Sequence, residues 1–149
     1  MMRRTHLAVS LAVALYFLPF VEHKIWFVPI VLAGGLFPDI DSMTSGSGNK
    51  LFFRPVQAVL QHRGPLHSYT FCIALSLILA FFWPIFALPF FLGFSFHLWL
   101  DSFTRRGIKP FWPMRTESKG AAKTGGIVDS TIFWTFVVVN LFLLVLLFV

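Results

Sequence analysis

Histidine and aspartate, side chains that readily share a borderline divalent cation, recur in this sequence in a few short, widely separated stretches. They are His6 in RTH, Asp39 and Asp41 in FPDID, His62 and His67 in HRGPLHS, His97 and Asp101 in HLWLD, and Asp129 in GGIVDS. Four of the five histidines and four of the six acidic residues fall in this set. Imidazole nitrogens and carboxylate oxygens together form the donor sets of zinc, manganese and iron sites, and in apolar surroundings such groups are costly unless they pair or hold a cation. Each stretch alone also has a plainer reading. The i, i+4 spacing of His97 and Asp101 puts both on one helix face, where they serve as well as a helix-stabilising polar pair. Asp39 and Asp41, beside Pro38, suit a turn or cap as readily as a ligand pair. His62 and His67 carry the same ambiguity, while His6 reads equally as an interfacial histidine and Asp129 as a helix cap.

The elements that must position these residues are apolar helices. Hydrophobic residues make up 57% of the 149, aromatics 18% and charged residues only 12%, a composition that predicts a membrane protein. Apolar runs predict helices over about residues 5–21, 25–37, 66–83, 85–103 and 130–149, hence an all-α, multi-pass transmembrane bundle in a single domain, residues 1–149. The first two are short: a 15-residue helix covers about 22 Å of a hydrocarbon core roughly 30 Å thick, so this pair either spans or forms a partly inserted hairpin. Either way the chain returns to its starting side. PFVEHK separates the first pair, Pro84 separates the third helix from the fourth, and Pro65 suits the first turn of the third.

Residues 42–64 read as a polar loop in which Phe52, Val56, Val59 and Leu60 form an interfacial apolar stripe, and residues 104–128 as a second loop, basic and glycine-rich. The opening MMRRTHLAVSLAVALYFLPF imitates a signal peptide, but no small-x-small site follows it, and a retained first helix is expected. The single cysteine, Cys72, sits in an apolar run and is expected to pack, with no thiolate metal site or disulfide. Antiparallel order then carries His6, Asp39, Asp41, His62, His67, His97, Asp101 and Asp129 to one membrane face. Convergence of that kind favours a metal centre over eight unrelated polar residues.

The stretches RTH, GGLFPDIDS, HRGPLHS, HLWLDSFTRRGIKPFWP and KTGGIVD follow one another in the order of a known family. The chain resembles, over nearly its whole length, the YdjM-like membrane-bound metal-dependent hydrolases. That family is grouped by similarity with the zinc-dependent phospholipase C and single-strand nuclease fold, so the resemblance implies a helical hydrolase with several metal ions. It implies His6, Asp39, Asp41, His67, His97 and Asp101 as ligands, with His62 as a further ligand or an outer partner. Where the family's last motif ends in glutamate this chain has Asp129, which leaves open whether that residue is a ligand, the base for the attacking water, or a cap.

The reaction class that follows is metal-assisted hydrolysis of a phosphoester, in a phospholipid or another amphiphile reaching the site along the bilayer. Zinc is the first expectation, with manganese and iron as alternatives and more than one ion allowed. Arg63 suits clamping a phosphate, and equally suits binding lipid headgroups. No HExxH, GxSG or lipid-phosphatase Ser-Arg motif is present to support another hydrolase class. The rival reading is a non-catalytic metal-binding or metal-transporting membrane protein, although no repeat of the transporter kind is visible. A third is a structural protein whose polar cluster only fixes helix packing. Of the twelve basic residues all but Lys24 fall on the site side, so the positive-inside rule predicts a site and N-terminus facing the cytoplasm of an inner membrane. The same cations should attract anionic lipid, so the net charge of +6 requires no nucleic-acid partner. Oligomeric state is left open.

Overall fold

The computed structural model describes residues 1–41 and 65–148, and among these residues the fold is entirely helical apart from isolated bridges. Five helices run in order: α1 (Arg3–Phe17), α2 (Lys24–Leu36), α3 (Tyr69–Phe82), α4 (Pro84–Ser102) and α5 (Ile127–Phe148). Short 3-10 turns, Leu18–Phe20, Phe37–Asp41 and Pro65–His67, follow α1, follow α2 and precede α3. Two helices are long and apolar enough to cross a membrane, Pro84–Ser102 and Ile127–Leu147, while Tyr69–Phe82 is apolar but shorter.

The third helix departs from expectation. The sequence predicts a start near residue 66, but α3 begins at Tyr69 because Ser68 caps it: its Oγ accepts from the Phe71 N–H at 3.1 Å and donates to the Pro65 carbonyl at 2.6 Å. His67 therefore stands in a separate turn ahead of the helix, and α3 keeps only 14 residues. Pro84 sits at the first position of α4, where its missing N–H costs nothing. The last helix also starts earlier than expected, which puts Asp129 inside its first turn.

Glycine sets the closest helix crossing. A Cβ on Gly34 of α2 would lie 2.6 Å from the Phe90 carbonyl oxygen of α4, and one on Gly93 would run into the Val31 carbonyl. Only residues without a side chain let these two backbones meet, the packing mode that small residues permit between apolar helices. Phe94, Leu98 and Phe90 of α4 then pack with Cys72 of α3, a fully buried thiol whose Sγ is 3.6 Å from Ser95 Oγ. On the other side α5 lies along α1, where the Asn140 amide donates to the Ala8 carbonyl at 2.9 Å. Among the described residues most of α5 is otherwise exposed: Trp134, Val138, Leu141, Phe142 and Val145 are largely uncovered, as expected of a surface solvated by lipid.

Candidate metal centre

The close α2–α4 crossing fixes one imidazole. It brings the Gly35 carbonyl to 2.7 Å from His97 Nδ1, one turn before Asp101 on α4. A carbonyl only accepts, so Nδ1 carries a proton and, in the neutral ring, Nε2 presents its lone pair. That nitrogen is buried without a hydrogen bond, and two carboxylates face it: Asp39 Oδ1 and Asp101 Oδ2 each lie 3.9 Å away. A lone pair with a carboxylate oxygen at such a separation is a pair of acceptors that a cation can bridge, and His97 Nε2 offers this with Asp39 on one side and with Asp101 on the other. Ligand atoms about 2.0–2.2 Å from a tetrahedral ion stand roughly 3–4 Å from one another, which matches this spacing.

Other elements complete the surroundings. His6, in the second turn of α1, stacks on His97 with ring centroids 3.9 Å apart, and its Nε2 lies 3.3 Å from Asp101 Oδ1. His67, held by the 3-10 turn that Ser68 secures, meets His97 edge-on at 5.6 Å and puts Nε2 3.9 Å from Asp101 Oδ2. Two overlapping groups result, His6 with Asp39 and His97, and His67 with His97 and Asp101; in each the ligand atoms lie within 4.8 Å of one another. His6, His67, His97 and Asp101 are all at most 1% exposed. The donor set therefore fits a divalent ion, and His97 donating its second ring nitrogen to a backbone carbonyl is the usual way a ligating imidazole is oriented. His97 Nε2 has one lone pair and belongs to both groups, so that nitrogen can serve an ion in only one of them at a time.

The remaining candidates are placed differently. Asp41 ends the turn Phe37–Asp41, but its side chain lies outside the described residues, as do His62, Arg63 and the stripe of Phe52, Val56, Val59 and Leu60. Asp129 belongs to neither group. Its buried carboxylate receives the Thr5 hydroxyl at 2.6 Å, the Met2 N–H at 3.0 Å and the Gly125 N–H at 2.7 Å, tying the start of α1 to the start of α5.

Three participants were not expected. Gly35 acts through its carbonyl, Thr5 holds Asp129, and the Met1 amine pairs with Asp101. The glycine pair in GGLFPDID was a visible signal for a close helix approach. A backbone carbonyl meeting a histidine 62 positions away leaves no mark in sequence.

Compared with known proteins, the chain matches the family model described as YdjM inner membrane protein over residues 1–149. No curated protein and no solved structure matches it.

Proposed function

The chain belongs to the YdjM inner membrane protein family, and from that premise we propose that it is a membrane-embedded, metal-dependent hydrolase of phosphoesters in lipid-like molecules. The observation that carries the reading is His97 Nε2, its tautomer set by the Gly35 carbonyl, facing two carboxylates at 3.9 Å inside an apolar bundle. His97 would hold a divalent ion, zinc first among the choices, together with His6 and Asp39 or with His67 and Asp101. Bound there, such an ion would acidify a water to near pH 7 and offer positive charge to phosphoryl oxygens. The chain's own contribution is the dry, close-packed enclosure that keeps these side chains aligned, since four of the five are shut off from solvent. Arg63, by this reading, clamps the phosphate.

The test is elemental analysis of the detergent-purified protein followed by a phosphoester screen. A bound divalent ion is expected, with turnover lost on chelation and restored when the ion is returned. Metal without turnover on any phosphoester would instead leave a metal-binding or metal-transporting protein. No metal at all would sink both readings.

We further propose that the bundle is multi-pass and that its metal face and N-terminus lie in the cytoplasm. Arg3, Arg4, Arg105, Arg106, Lys109, Arg115, Lys119 and Lys123 belong to segments that flank that face, whereas Lys24 lies at the opposite end; by sequence order alone Lys50, Arg54 and Arg63 are expected with the former. Five crossings then put the C-terminus outside. An enzymatic reporter fused after Val149 should be active beyond the cytoplasm, and cytoplasmic activity would overturn either the crossing number or the orientation.

A further inference from the structure

The segment between α4 and α5 is a folded platform. Thr104 roots it by donating its hydroxyl to the Asp101 carbonyl at 2.8 Å and accepting the Gly107 N–H at 3.2 Å. From there two strips of chain lie side by side: Arg105 N–H bonds the Ala122 carbonyl at 2.9 Å, Ala122 N–H the Phe103 carbonyl at 3.0 Å, and Gly120 N–H the Thr104 carbonyl at 3.0 Å. The approach is close enough to require glycine, because a Cβ on Gly120 would run into the Phe103 carbonyl.

A hollow of about 460 Å³ opens on this platform, lined by Arg105, Arg106, Ala122, Lys123 and Thr124. Three cations thus share one concavity, and among the described residues no carboxylate pairs with any of them. Glu117, the one acid in this stretch of sequence, is taken by Lys119, whose hydrogen bond and charge hold that carboxyl below its usual range. Arg105 is braced, its Nε donating to the Ala121 carbonyl at 3.2 Å, which leaves the terminal nitrogens of its guanidinium for a ligand. Three like charges held together by an ordered backbone repel one another unless an anion joins them.

We infer that the hollow lined by Arg105, Arg106, Lys123 and Thr124 is a binding site for a phosphate monoester dianion. Two planar guanidinium forks, an ammonium and a hydroxyl supply the donors that three phosphate oxygens accept, and a doubly charged headgroup offsets most of the local charge. Lipid is the natural source. Trp99 and Phe103, each 46% exposed and packed edge-to-face at 5.1 Å, stand just before the arginines at the end of α4, where aromatic side chains mark the headgroup layer. The hollow shares no lining residue with the His/Asp groups, and the inference holds whether or not the protein hydrolyses anything.

The test uses the full-length protein in detergent and a short-chain phosphonate analogue of phosphatidic acid, which cannot be hydrolysed at its carbon–phosphorus bond. Titration calorimetry compares wild type with Arg106→Gln/Lys123→Gln, which spares the braced Arg105. A second double variant, Lys109→Gln/Arg115→Gln, removes the same charge from outside the hollow. Binding should weaken at least tenfold in the first variant and less than twofold in the second, with a phosphatidylcholine of equal chain length binding weakly to all three. Competition by inorganic phosphate would assign recognition to the phosphate itself; its absence would assign it to the lipid-borne headgroup. Equal losses in the two double variants would reduce the effect to general surface charge and overturn the site, as would an unchanged affinity in the first.

Discussion

His97→Ala should leave the purified protein without its metal. Both ligand groups pass through this imidazole, and its Nε2 is the lone pair that faces Asp39 and Asp101 together. Losing an outer partner of a ligand typically weakens metal binding roughly 10–100-fold, and losing the shared ligand itself should cost more. Asp39→Ala, His67→Ala and Asp101→Ala should each lower occupancy, whereas His23→Ala should not, since His23 precedes α2 at the far end of the bundle. Elemental analysis of protein purified alongside wild type reads the outcome directly. Removing a buried ring also leaves a cavity, so helical circular dichroism and a monodisperse elution profile must accompany the His97 result. Asp39, whose side chain is 17% exposed, gives the variant least exposed to that complication. Full metal in all four folded ligand variants would refute the centre.

Helix direction made the meeting of His6, Asp39, His67, His97 and Asp101 legible before any coordinates. Apolar runs with Pro84 and PFVEHK between them define how often the chain reverses, and each reversal returns the polar residues to one end. Boundaries that depend on a cap were less legible. Ser68 was visible ahead of YTF, yet the continuous apolar pattern through Leu66 obscured that its hydroxyl ends one turn and starts another. Periodicity also says nothing about backbone partners, so the Gly35 carbonyl that orients His97 went unseen. The platform after α4 was unreadable for a related reason. Its order comes from main-chain bonds between Phe103–Arg105 and Gly120–Ala122, and composition alone reported only a basic, glycine-rich loop.

Asp129→Ala should destabilise the protein far more than Asp129→Asn. One carboxylate oxygen, Oδ2, accepts two backbone N–H groups, from Met2 and Gly125, and the other accepts the Thr5 hydroxyl. Alanine removes all three bonds, the one from the Thr5 hydroxyl buried and the two from backbone N–H groups part-buried, at about 0.5–1.5 kcal/mol for each bond lost. Asparagine can keep the network. Its carbonyl oxygen replaces Oδ2 toward both N–H groups, and its amide donates to Thr5 Oγ1, since a hydroxyl accepts as well as it donates. Thermal unfolding in detergent should therefore fall clearly for Asp129→Ala and little for Asp129→Asn. If anchoring the α1–α5 junction is the whole role of Asp129, the asparagine variant also keeps its metal and its phosphoester turnover. A base acting on the attacking water behaves otherwise: Asp129→Asn would then retain metal and stability while turnover drops by about 10²-fold or more. A ligand would lose metal and turnover together. Three hydrogen bonds converging on the carboxylate favour the anchor, and a metal-loaded, stable but inactive Asp129→Asn protein would overturn that assignment in favour of the base.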